Sequence, residues 1–177
     1  MKGDVTLHIR TEDRLRLTFN YHGLISAYGR LELAVEKKDD MGIYVSSSEL
    51  ILWAMNIEKW LFDCDEAYRN DKSAKVLKSG VGELKGLKFI FNTLKHDMGF
   101  IQTHRKNTDL TIPFDSNFQQ EKPNVYWKKI LTASPTPKKN INQRKNYEKY
   151  LAEKDLLLTV KDAISYISSR RRENIIP

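Results

Sequence analysis

The sequence predicts a mainly α protein: an up-and-down helical bundle with an irregular, proline-containing insertion before its last helix. Three observations predict it. Apolar residues recur at alternating spacings of three and four in three consecutive segments, the signature of one buried helix face. The connections between those segments are short and polar. All but one of the prolines (Pro113, Pro123, Pro135 and Pro137) gather in a stretch without helical period, and a periodic segment resumes after it. One domain of 1–177 is expected, with a helical core over about 11–98 and 143–172 and the irregular insertion over about 99–142.

The elements follow in order. Met1 to Arg10 alternate briefly at Val5, Leu7 and Ile9, as a short strand or ordered arm would. Thr11 to Lys37 reads as a long helix, with Leu17, Tyr21, Leu24, Tyr28, Leu31 and Val35 on one face. Thr11 can cap its start, and Glu12 and Asp13 suit the first turn. Gly23 and Gly29 weaken it unless they mark a kink or a close helix contact. Lys37 to Gly42 forms a polar turn. Ser46-Ser47-Ser48-Glu49 matches a capping box, so the second helix is expected from Ser47 to about Tyr68. Its buried face carries Leu50, Trp53, Ile57, Trp60 and Cys64. Asn70 to Gly80 reads as a loop ending in the breakers Gly80 and Gly82. A third helix runs from about Glu83 to Asp97 with the stripe Leu84, Leu87, Phe91, Leu94 and Met98. In the insertion, Leu110, Ile112 and Phe114 alternate like a strand, which Pro113 confines to an edge. Trp127 is expected as a packed anchor and Ser134 to Lys139 as an exposed loop. The last helical segment spans about 143–172 and breaks near Ala152 to Asp155. Tyr147, Tyr150 and Leu151 form one stripe, and Val160, Ile164 and Ile167 another. Arg170, Arg171 and Arg172 suit the C-terminal end of its dipole.

Bulk composition narrows the classes of function. Apolar residues make up 40% of the chain, enough for a folded core and against disorder. Thirty Lys and Arg against 23 Asp and Glu leave +7, a sign that favours an anionic partner such as nucleic acid. The acidic residues are interspersed, so a solvated basic surface explains the same number equally well. Cys64, the one cysteine, excludes an internal disulfide and a multi-cysteine zinc site. His8, His22, His96 and His104 are scattered without metal-ligand spacing, so neither a metal nor a cofactor is expected. No apolar run approaches ~18 residues, so no membrane partner is expected and the cytoplasm is the expected compartment.

The stretch Gly82 to Gly99 carries most of the chemistry. Opposite its apolar stripe lie Lys85, Lys88, Asn92, Lys95 and His96. Asn92 and His96 are four apart and share a helical face. The lysines there suit a phosphate, and a histidine can move a proton near neutral pH. An ordinary solvated helix face with one polar histidine accounts for the same residues. Arg105, in His104-Arg105-Lys106, can extend the basic surface. Arg16 and His22 satisfy an R-x5-H spacing, but they lie on the first helix without an adjacent Asn and read as a structural pair.

The segment Phe91-Asn92-Thr93-Leu94-Lys95-His96 resembles the motif of the HEPN superfamily, named for higher eukaryotic and prokaryotic nucleotide-binding domains. Those proteins are small helical bundles, often dimeric, and many are ribonucleases of toxin–antitoxin and phage-defence systems. Their signature is an Arg, commonly followed by Asn, with a His four to six residues after the Arg, on a late helix. Here Phe91 stands in the place of the Arg. A phenylalanine cannot grip a phosphate, and Lys88 one turn earlier supplies charge without the guanidinium fork. Ser48 to Ala54, Gly86 to Phe89, Tyr147 to Leu151 and Leu157 to Ile167 resemble flanking pieces of bacterial members, so the likeness covers about half the chain. The resemblance implies a homodimer and binding of RNA or a partner protein in a bacterial defence, toxin or mobile-element setting, without full ribonuclease activity. An active, metal-independent endoribonuclease using His96 and Asn92 is the alternative within the same family. An unrelated helical interaction or inhibitor protein is the alternative outside it.

Overall fold

The computed structural model describes residues 11–93, 99–104, 124–129 and 141–175. Among them six helices and one two-stranded sheet form the mainly helical bundle that the periodicity predicts. The first helix, α1 (Thr11–Glu36), buries Leu17, Leu24, Leu31 and Val35, and half-buries Tyr21 and Tyr28. It packs antiparallel against α2 (Asp40–Cys64), and an ion pair between Arg30 and Glu49 ties their exposed edges. Gly23 lets them close in, because a Cβ there would lie 2.6 Å from the Trp53 indole.

The turn between them is shorter than 37–42, and α2 starts seven residues before the expected Ser47. Asp39 is its N-cap, its carboxylate accepting from the Gly42 amide at 2.9 Å. Lys38, with φ +57°, reverses the chain. Ser46-Ser47-Ser48-Glu49 therefore lies inside the helix. Ser46 and Ser47 are buried, and the Ser48 hydroxyl donates to the Tyr44 carbonyl. The far end differs too. The helix stops at Cys64, and Asp65 caps a separate short helix, α3 (Glu66–Ser73), in the stretch read as the end of the second helix and the start of a loop.

Helix α4 (Val81–Thr93) begins two residues earlier than expected. Gly80 precedes it with φ +86°, and its amide donates to Glu83 at 2.8 Å. Gly82 is no breaker. It and Gly86 sit on the α4 face that meets α5 (Ile141–Tyr150), where a Cβ at Gly82 would strike the Tyr150 ring at 2.4 Å. The last helix, α6 (Leu156–Ile175), follows a tight turn at the expected break.

Strands β1 (Ile101–His104) and β2 (Asn124–Trp127) pair antiparallel, with Ile101 opposite Trp127. The α5–α6 turn continues that edge, the Trp127 amide donating to the Lys154 carbonyl and the Glu153 amide to the Trp127 carbonyl. Trp127 is the anchor its size suggests: it is 1% exposed and its Nε1 donates to Thr159 at 2.7 Å. The alternations at Val5–Ile9 and Leu110–Phe114 and the loop Ser134–Lys139 lie outside the described residues.

No helix among the described residues is long and apolar enough to cross a membrane. No group of three or more His, Cys, Asp or Glu among them could hold a metal ion.

Candidate nucleic-acid interface

Helix α4 places Lys85 and Lys88 on one side, since residues three apart share a face. The side chain of Lys85 is half-buried and has no ion-pair partner among the described residues. Burial, and then the neighbouring charges of Lys72 and Lys149, push its ammonium pKa down. These three lysines come from α3, α4 and α5. Lys149 and Lys154 also lie over the Tyr150 ring, at 5.0 and 5.9 Å from its centroid. The glycine at 82 allows this arrangement, because it seats Tyr150 against α4.

One carboxylate opposes the cluster. Glu58 of α2 is 3% exposed, yet charged groups surround it. Its Oε1 accepts from the Tyr68 hydroxyl at 2.9 Å and pairs with Lys72, while Lys88 Nζ stands 3.4 Å from Oε2. Burial alone would raise its pKa. The hydrogen bond and charge of Lys72, the charge of Lys88 and the Tyr68 hydroxyl outweigh that, and Glu58 stays ionised below the usual carboxylate range. Lys72 in turn lies over the Phe62 ring at 4.7 Å. Lys88, expected as an open phosphate contact, therefore shares its charge with Glu58. Lys72 and Lys149 were not among the expected contacts, because they reach this face from separate elements.

Asn92 is exposed near the end of α4, and its Nδ2 donates to Gln143 Oε1 of α5 at 2.7 Å. Phe91 beside it points the other way and is half-buried against the apolar core. His96, Lys95 and Arg105 lie outside the described residues. Arg16 and His22 are both exposed on α1.

A second charged assembly was not legible in advance. Arg170 was expected as a C-terminal dipole partner on the last helix. It is 8% exposed, a turn before the helix end, and grips Asp65 through two hydrogen bonds. Nε donates to Oδ2 at 2.7 Å and Nη2 to Oδ1 at 2.8 Å. Asn174 adds a third donor at 2.9 Å, and the Tyr68 amide a fourth at 3.1 Å. One turn up α6, the Tyr166 hydroxyl donates to Asp71, which also pairs with Lys78. A charge, Glu58, set among apolar positions of α2 is the sequence signal of the first assembly, whereas Asp65 and Arg170 meet across 105 residues and leave no local pattern.

Comparison of the chain with protein-family models, with curated proteins and with solved structures finds no match in any of the three. Fold and site together define a mainly helical protein with a lysine cluster at the junction of α3, α4 and α5.

Proposed function

We propose that the protein is a HEPN-like helical module that binds RNA or another nucleic acid and lacks full ribonuclease activity. One observation carries the reading: Lys72, Lys85, Lys88 and Lys149 crowd one face, with Glu58 the carboxylate set against them and Lys85 unpaired among the described residues. Phosphates supply the missing negative charge, and their binding releases condensed counterions. Lys149 and Lys154, held over the Tyr150 ring, add positive charge beside this face.

The test is fluorescence anisotropy with a single-stranded RNA oligonucleotide over a salt series. Binding should weaken steeply as salt rises. Lys85→Ala with Lys149→Ala should flatten the log–log salt slope by about 1.4, roughly 0.7 for each lost phosphate contact on a single strand. Lys37→Ala, in the α1–α2 turn, should leave it unchanged. An absence of binding at low salt would remove the nucleic-acid reading.

The non-catalytic form of the reading rests on Phe91 and Lys88. Phe91 is packed into the core side of α4, and Lys88 is shared with Glu58. Neither supplies a free guanidinium fork. Wild-type protein with chelator present is expected to leave RNA intact. Phe91→Arg, which restores the Arg-Asn-x3-His pattern, is the gain-of-function variant, at some cost in packing. Robust wild-type cleavage that disappears in His96→Ala would overturn this form and establish the endoribonuclease alternative.

A further inference from the structure

Helix α4 brackets Lys85 between two anchored neighbours, each one turn away. On one side Gly82 seats the Tyr150 ring, 2.4 Å from where a Cβ would stand, and Lys149 Nζ lies 5.0 Å from the centroid of that ring. On the other side Lys88 reaches Glu58 Oε2 at 3.4 Å, and the second oxygen of Glu58 holds Lys72. The half-buried Lys85 side chain therefore has ammonium groups on both flanks. The carboxylates of the surrounding helices are engaged elsewhere. Glu58 serves Lys72 and Lys88, Glu83 accepts from the Gly80 amide at 2.8 Å, and Glu148 pairs with Arg144 at 2.9 Å. Lys85 is left without an ion pair among the described residues, and Lys149 beside it is exposed. An amine so placed has two properties at once. Burial, and then the charges of Lys72 and Lys149, favour its neutral form, and a neutral amine is a nucleophile. The same neighbouring ammonium groups draw an anion to its side. An electrophile that carries its own phosphate uses both.

We infer that Lys85 is an acylation site that takes its acyl group directly from acyl phosphates. The phosphate group binds at the ammonium groups of Lys72 and Lys149. That places the acyl carbon, one bridging oxygen away, beside Lys85 Nζ. The Nζ lone pair attacks this carbon and the N–C bond forms. The C–O bond to phosphate breaks, phosphate leaves with the electron pair, and the amine proton passes to water. The product is a neutral amide, so acylation removes one positive charge from the lysine face. The inference rests on that cluster as an anion site, as the proposed function does, but it does not require nucleic acid to be the occupant.

Incubation of the full chain with acetyl phosphate near neutral pH tests it, with peptide mass spectrometry reading the rate at each lysine. Lys85 should be acetylated severalfold faster than Lys37 and Lys161, which are exposed in the α1–α2 turn and on α6. Inorganic phosphate should slow Lys85 selectively. Lys149→Gln with Lys154→Gln, which alters exposed side chains alone, should remove most of the preference. An uncharged acetylating ester separates recruitment from nucleophilicity, and the preference for Lys85 should shrink with it. If nucleic acid occupies the face, the acetylated protein should also show a log–log salt slope for single-stranded RNA lower by about 0.7. Selective acetylation in a protein that binds no RNA would remove the nucleic-acid reading and support the acylation site. Acetylation of Lys85 no faster than that of Lys37, or a preference that phosphate leaves untouched and the uncharged ester reproduces in full, would overturn the inference.

Discussion

Asp65→Ala should be among the most destabilising single substitutions in the chain, lowering stability by about 3–5 kcal/mol. The estimate follows from what the change strands. Arg170 would keep its charge while 8% exposed, with the solvent-facing Glu173 as its remaining ion-pair partner among the described residues. The Tyr68 amide would lose its cap, worth about 1 kcal/mol of that total, and Asn174 would lose one of its acceptors. In a domain of this size the melting temperature should fall by roughly 10 °C. Asp65→Asn should be milder, since an amide oxygen still accepts from the Tyr68 amide. If Asp65→Ala melts within a degree or two of wild type, the clamp between α3 and α6 is not formed in solution.

Acid should act on the same groups. Burial pushes the Asp65 carboxyl up, but Arg170, Asn174 and the Tyr68 amide together hold it below the ordinary range, as Lys72, Lys88 and Tyr68 do for Glu58. A carboxyl with a depressed native pKa contributes stability that is fully present above its unfolded value, near about 4, and is lost as pH falls through the native value. Thermal scans should therefore show a plateau down to about pH 5 and a steepening loss below about pH 4. Asp65→Asn should remove part of that acid dependence. An unchanged acid profile in that variant would show that other carboxylates control it.

The helices were legible because their packing repeats locally. Leu17, Tyr21, Leu24, Tyr28, Leu31 and Val35 face the core of α1 as their spacing requires, and the same holds for Leu50, Ile57 and Trp60 in α2. Boundaries were less legible, for a physical reason. A Ser-x-x-Glu pattern satisfies free amides only where the chain enters a helix, and Ile43, buried one turn upstream, had already set that entry at Asp39. Helix α3 was missed because its eight residues are mostly polar. It is held by Asp65 to Arg170, 105 residues away in sequence, and by Tyr68 to Glu58. The site shows the same division. Lys85 and Lys88 share one helix and could be paired on paper. Lys72 joins them through its ion pair with Glu58, and Lys149 through the packing of α5 on α4 at Gly82 and Tyr150.

Glu58 joins stability to binding, and Glu58→Gln should move the two in opposite directions. The carboxylate is the negative charge set among Lys72, Lys88 and the buried Tyr68 hydroxyl. The amide can still accept from Tyr68, but it leaves the Lys72 and Lys88 ammonium groups without their carboxylate. A buried ion pair broken from one side costs about 3–5 kcal/mol when fully enclosed. Lys72 and Lys88 retain 21% and 43% side-chain exposure and can recover water, so a loss of about 2–3 kcal/mol is expected. The same change frees two ammonium groups for phosphate. RNA affinity at low salt should therefore rise severalfold, and the log–log salt slope should steepen by up to about 1.4. Measurements belong well below the lowered melting temperature, so that unfolded chains do not contribute. A purely structural Glu58 would give the loss of stability with no gain in binding, and that outcome would remove the lysine cluster as the nucleic-acid site while leaving the fold as described.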